Sequence, residues 1–205
     1  MFRVLTVCSG NLCRSPQAEQ LLRARIPAAF GRTEIPALEI SSAGTKAFDD
    51  DPMDRLAATE AMRLGIAEPR AHRARRLREP HVAQADLVLG MGREHRAAAS
   101  SLVPSAVRRS FTLVEFARIL EALANGSVAA SIAPLGADGF AAFMRRVVEA
   151  AVTVRGLMPT PEAPDALDVE DPYRLEPDVY RRSADAVDAL VASIASDLRV
   201  LADGR

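Results

Sequence analysis

Apolar residues along the chain switch repeatedly between short continuous runs and stripes of helical period. Residues 2–7 form the first run and read as a buried strand, followed by a loop over residues 8–15. Ser15-Pro16 then offers an N-cap with proline at the first helical position. Ala18, Leu21, Leu22 and Ile26 supply a helical stripe as far as Pro27. Leu38 to Ala43 reads as a second strand, and residues 53–64 as a helix closed by Gly65. Asp86 to Met91 is a short apolar run of the kind buried in parallel sheets. Phe111 closes a further strand. Thr112 and Glu115 make a capping box ahead of Phe116, Ile119, Leu120 and Leu123, in a helix ended by Asn125-Gly126.

Phe140 to Val154 suggests another helix, and residues 157–172, with four prolines, an irregular surface loop. From about Pro177 a last helix sets Val187, Leu190, Val191, Ile194, Leu198 and Leu201 on one face. Strands alternating with helices predict an α/β three-layer sandwich with a mainly parallel sheet of roughly four strands and flanking helices. Residues 1–205 are expected to form a single domain, with a helical insertion around 104–165. No internal repeat or low-complexity tract interrupts it.

Composition narrows the partners. The 205 residues are 49% apolar and 26% charged, with a net charge of −1, so no global charge favours nucleic acid or an anionic membrane. The basic run from Arg70 to Arg78 lacks interleaved aromatics and reads as a solvated face. The apolar start is too short for a signal peptide, and no run approaches a bilayer span. Two cysteines five residues apart make no disulfide framework, which places the protein in the cytoplasm. His81 and His95 show no partner pattern and are assigned to no metal. Nothing in the sequence fixes an oligomeric state.

The chemistry concentrates in Cys8-Ser9-Gly10-Asn11-Leu12-Cys13-Arg14-Ser15, followed by Pro16. A loop leading from strand to helix turns several backbone N–H groups one way and, with the helix dipole, binds an oxyanion such as phosphate. Gly10 and Asn11 tolerate the left-handed backbone that a tight wrap demands. Arg14 can grip two phosphate oxygens with its planar fork. A cysteine in that field, Cys8, is placed to act as a thiolate nucleophile, and Ser15 can donate its hydroxyl to the sulfur. The Gly-Lys-Ser/Thr of a nucleotide P-loop is absent.

This loop resembles the signature of the low-molecular-weight protein tyrosine phosphatases, Cys-x-Gly-Asn-x-Cys-Arg-Ser-Pro, at every fixed position. The resemblance implies hydrolysis of phosphotyrosine on protein substrates through a phosphocysteine, with no metal or cofactor. Cys8 would be the nucleophile and Arg14 the phosphate clamp. Ser9, Gly10, Asn11, Leu12, Cys13 and Ser15 would contribute to substrate binding. Asp171-Pro172-Tyr173 resembles the family's late Asp-Pro-aromatic motif, making Asp171 the general acid and Tyr173 a wall for the aryl ring. Asp168 is the second candidate for the acid. Ser42-Ala43-Gly44-Thr45 resembles the strand-end segment whose serine supports the phosphate loop, a role carried to Ser42 and, as a brace, to Asn11. His72-Arg73-Ala74-Arg75 also matches a family stretch, with His72 read as structural.

Several positions depart from the pattern. Phe48 stands where the family usually has Trp or Tyr at the mouth of the site. Asp49, Asp50 and Asp51 beside it are expected to favour a basic phosphopeptide. Gly92 follows Met91 where the family commonly places Asp, so a supporting hydrogen bond is expected to be missing. Cys13 has two readings: a small hydrophobe behind the loop, or a redox partner that captures oxidised Cys8 as a disulfide. An arsenate reductase of similar fold is one alternative activity. With no cysteine after residue 13, it would need an external thiol. A non-catalytic phosphoprotein-binding module is the other; binding alone requires neither Cys8 nor Asp171.

Overall fold

The computed structural model describes residues 1–161, 163 and 165–204, so that Glu162 and Pro164 of the proline-rich loop lie outside the described residues, as does Arg205. Four strands, β1 (Phe2–Cys8), β2 (Leu38–Gly44), β3 (Leu87–Gly90) and β4 (Ser110–Thr112), form one sheet in the order β2-β1-β3-β4. Every pairing is parallel. The connections carry helices α1 (Arg14–Ala29), α2 (Arg55–Arg63), α3 (Glu79–Gln84) and α4 (Arg93–Leu102), and α5 (Leu113–Ala124), α6 (Gly139–Val154) and α7 (Pro177–Asp203) follow β4.

The central strand β1 is buried on both faces, which is why its sequence is almost continuously apolar. Phe2, Val4 and Cys8 face the larger core, built with residues of α1, α5, α6 and α7. Leu5 and Val7 point the other way, onto Val82 of α3, Ala99 of α4 and Ala106. Each large side chain removed from water here contributes about 1.5–3 kcal/mol. Helices on both faces give the expected three layers. β1 lies between β2 and β3, with crossovers leaving toward opposite faces, so the carboxyl end of β1 is a topological switch point, the usual crevice for a ligand.

Differences from the sequence reading are local. Helix α1 begins at Arg14 with Cys13 at the cap and no side-chain cap bond, so Ser15 lies inside the first turn rather than capping it. The helix also carries Pro27 within its last turn and ends at Ala29. The Thr112–Glu115 capping box is present in both directions. Helices α3 and α4 escaped the apolar pattern because each buries so little: Val82 in α3, and only His95 and Ala99 in α4. Within 104–165, β4 completes the sheet, and α5 and α6 add Phe116, Ile119, Leu120, Phe143, Met144 and Val147 to the larger core.

Candidate active site

The loop from Cys8 to Arg14 leaves the carboxyl end of β1 and wraps directly into α1. Its tightest point is Asn11, held at φ 55°. That left-handed turn brings the Asn11 N–H back onto Cys8 Sγ at 3.2 Å. Ser15 Oγ lies 3.0 Å from the same sulfur. The Asn11 side-chain amide donates to Ser15 Oγ at 2.9 Å, so the serine hydroxyl proton points to the sulfur or to the more distant Ala43 carbonyl at 3.5 Å. The Asn11 N–H and the Ser15 hydroxyl therefore converge on the Cys8 sulfur. Because Ser15 is released from capping, its oxygen can serve this network.

Asn11 is the hub. Its amide also donates to Ser42 Oγ at 2.9 Å, and its Oδ1 accepts the Arg75 N–H at 2.9 Å. His72 Nε2 donates to the Asn11 carbonyl at 2.8 Å. Burial, in the first place, holds the His72 imidazole below its ordinary range, so it makes that bond as a neutral ring. Ser42 passes its own hydroxyl to the Glu19 carboxylate, which Arg23 pairs at 2.8 Å. Glu19, His72 and Arg75 were not assigned to the site from sequence. The signal for His72 and Arg75 was the family-like stretch that contains them; buried Glu19 offered none. The basic run is thus not wholly a solvated face, since Arg75 also donates to the Ser42 carbonyl.

Backbone accounting points to an anion. Among the described residues, the N–H groups of Ser9, Gly10, Leu12, Cys13 and Arg14 have no acceptor. Arg14, only 5% exposed, donates from Nη1 to the Val169 carbonyl at 3.0 Å and from Nη2 to Asp171. Its Nε is buried without a partner among the described residues. The structure therefore brings Cys8, Arg14, Ser15, Asn11, Ser42 and Asp171 together. Asp168 is elsewhere engaged: both carboxylate oxygens take the Arg93 guanidinium. Burial alone would raise it, but the Arg93 bonds and charge hold it below the ordinary carboxylate range, which removes it as a proton donor.

Two exposed aromatics lie on segments that adjoin the loop. Phe48, 74% exposed, lies on the segment after β2, whose Thr45 and Lys46 N–H groups bind the Cys8 and Ser9 carbonyls at 2.9 and 2.8 Å. Tyr173 is exposed two residues beyond Asp171. Asp49 is not a free acid, since it accepts from the Arg76 N–H and the Arg78 guanidinium, so the acidic edge narrows to Asp50 and Asp51. Leu12 packs partly against Cys13, Met53, Ala57 and Tyr180. Burial, then the nearby Asp54, push the Cys13 thiol well up, keeping it protonated at rest. His95, 1% exposed beneath the loop, shares a 3.0 Å hydrogen bond with Ser9 Oγ. Among the described residues, no group of three or more His, Cys, Asp or Glu is placed to hold a metal, and no helix is long and apolar enough to cross a membrane.

A buried cysteine in an oxyanion loop between a central parallel strand and its following helix, with an arginine and a late carboxylate over it, defines a class of thiol-based phosphoryl-transfer folds. Residues 3–129 match the family model of the low molecular weight phosphotyrosine protein phosphatases, and the chain belongs to that family. It is 35% identical over 101 residues to the low molecular weight protein-tyrosine-phosphatase Etp of Escherichia coli K12, a match covering 49% of this chain and 62% of Etp. It is 33% identical over 115 residues to the protein-arginine-phosphatase of Geobacillus stearothermophilus, covering 56% and 71%. The crystal structure of a low molecular weight protein tyrosine phosphatase from T. tengcongensis superposes with a TM-score of 0.62 at 28% identity, over 95% of this chain and 97% of that one.

Proposed function

We propose that the protein is a cysteine-dependent, metal-independent phosphoric monoester hydrolase that removes phosphate from tyrosine in protein substrates. The observation that carries this reading is Cys8 Sγ, buried at the centre of the loop and met by the Asn11 N–H and the Ser15 hydroxyl, with Arg14 and Asp171 already in contact above it. The incoming phosphoryl oxygens take the unpartnered loop N–H groups and Arg14 Nε, and displace Asp171 from Arg14. Cys8 sulfur attacks phosphorus in line, the P–O ester bond breaks, and Asp171 protonates the leaving phenolic oxygen. Asp171 then takes a proton from water as its oxygen attacks the phosphocysteine, and the Cys8 thiolate leaves, supported by Ser15. Phe48 and Tyr173 flank the aryl ring, and Leu12 contributes its apolar side chain. Cys8 is buried, which accords with a long phosphorylated side chain rather than a short one.

The similarity to a protein-arginine-phosphatase supports one further substrate, phosphoarginine, whose side chain is also long. Two free cysteines accord with a reducing compartment such as the cytoplasm. The chain is read as a single domain, with its extra length as a helical insertion around 104–165. The test is metal-free hydrolysis of an aryl phosphate by the parent, Cys8→Ser and Asp171→Ala, followed by matched phosphotyrosine and phosphoarginine peptides. Turnover lost in the first variant and sharply reduced in the second supports the mechanism. No turnover by folded, reduced parent on either phosphopeptide defeats it.

A further inference from the structure

Gly92 and Asp168, far apart in sequence, meet in space. Gly92 ends the turn after β3 and occupies the cap position of α4, where it offers no side chain to the helix. Its backbone is extended, at φ −161°, so the glycine is not required by conformation. What fills the space beside it is Asp168: a Cβ at position 92 would lie 3.4 Å from the Asp168 Cγ and Oδ1. Asp168 Oδ1 accepts the Arg93 N–H at 2.8 Å, one of the first-turn donors of α4 that has no partner within the helix, and the carboxylate also takes the Arg93 side chain at 3.0–3.2 Å. The carboxylate expected at position 92 is thus delivered from the loop that carries the general acid.

That delivery ties two segments together. Next to Asp168, the Val169 N–H binds the Met91 carbonyl at 2.8 Å, and the Val169 carbonyl receives Arg14 Nη1. Two residues further on is Asp171. We propose that Asp168, through Arg93, is a positioning residue that fixes the loop bearing Asp171 over the phosphate loop, a role that a carboxylate at position 92 could not fill because it would cap α4 without holding the loop. The proposal rests on the phosphatase reading for its kinetic consequence and on geometry alone for the tether.

Three proteins are compared with the parent: Asp168→Ala, Arg93→Ala and the double variant Gly92→Asp/Asp168→Ala. The substrates are 4-nitrophenyl phosphate, whose leaving group needs little protonation, and phenyl phosphate, whose leaving group needs much. Asp168→Ala and Arg93→Ala should lower kcat/KM on phenyl phosphate about tenfold more than on 4-nitrophenyl phosphate, as a misplaced general acid does. Amide hydrogen exchange over residues 168–171 should speed up in both. The double variant should recover thermal midpoint, since α4 regains a cap, but neither the rate ratio nor the exchange protection. Equal losses on the two substrates, unchanged exchange in Asp168→Ala, or full kinetic recovery in the double variant would each overturn the proposal. A parent without turnover would defeat the phosphatase reading instead, and exchange at 168–171 would still decide the tether.

Discussion

Gly44→Ala is the smallest change that should disable the site while leaving its chemistry untouched. A Cβ at Gly44 would lie 2.6 Å from the Ser9 carbonyl oxygen, 2.7 Å from the Asn11 nitrogen and 2.9 Å from Ala47 Cβ. The first of these falls about 0.8 Å short of ordinary contact. Strand β2 cannot retreat, because Gly44 pairs with Cys8 at the end of the ladder, its N–H binds the Arg75 carbonyl at 2.9 Å, and its carbonyl receives the Leu77 N–H at 2.7 Å. The phosphate loop must therefore move. Overpacking of this kind costs about 1–3 kcal/mol, and for a chain of this size each kcal/mol lowers the thermal midpoint by about 2–4 °C. A misplacement approaching 1 Å at the reacting centre lowers the rate about a hundredfold. Steady-state kinetics on an aryl phosphate, run beside a thermal melt, should show a protein still folded at 25 °C whose kcat/KM has fallen by about two orders of magnitude. A kcat/KM indistinguishable from the parent would refute the claim that the Gly44 contact sets the loop position.

Three further outcomes are expected. Burial first, and then the charge of Arg14, depress the His95 imidazole from 6.5 to about 4, so the stability tied to its neutral form is whole above pH 6.5 and erodes as pH falls toward 4. The parent should lose up to about 3 kcal/mol across that window, and urea melts of His95→Asn should show a flatter acid limb; parallel limbs would exclude the assignment. Phe48→Ala should raise KM for phosphotyrosine peptides severalfold, the size of about 0.5–1.5 kcal/mol of aromatic contact, without moving the thermal midpoint; an unchanged KM would remove Phe48 from the substrate wall. Peroxide converts Cys8 to a sulfenic acid, which condenses with the Cys13 thiol to a disulfide and water. If Cys13 protects in this way, Cys13→Ala should regain less activity on reduction than the parent, and equal recovery would leave Cys13 a packing residue.

What the sequence made legible was local. The eight residues from Cys8 to Ser15 carry the cysteine, the arginine and the left-handed turn in one stretch, so spacing alone displayed the chemistry proposed for them. Strands β1 and β3 showed as apolar runs because a parallel sheet buries both faces. The missed helices, α3 and α4, earn little burial and hence leave little pattern. Ser15-Pro16 imitates a cap followed by proline, but the chain enters α1 directly from the loop and starts the helix one residue before Ser15. Reading Asp168 as an alternative acid and Gly92 as a gap were two views of one contact, visible only when residues 92 and 168 lie side by side. The Asp49–Asp51 run likewise read as uniformly acidic because its partners, Arg76 and Arg78, lie more than twenty residues away.

The brace around Asn11 explains why a short motif still depends on the whole fold. A non-glycine residue at φ 55° is held against its own preference, by about 1–2 kcal/mol for an ordinary side chain and less for asparagine. It persists because its N–H, carbonyl, amide and Oδ1 all find partners, on Cys8, His72, Ser15, Ser42 and Arg75. Leaving any one of those buried groups unsatisfied costs about 1–3 kcal/mol, comparable to or larger than the backbone preference it opposes. The partners come from β1, α1, β2 and the segment before α3, so the turn is set only when those elements have docked. Removing Ser42 or His72 should therefore relax Asn11 toward ordinary backbone and withdraw its N–H from the Cys8 sulfur. Cys8 is encoded by one loop, but its environment is encoded by segments as distant as residues 72–75.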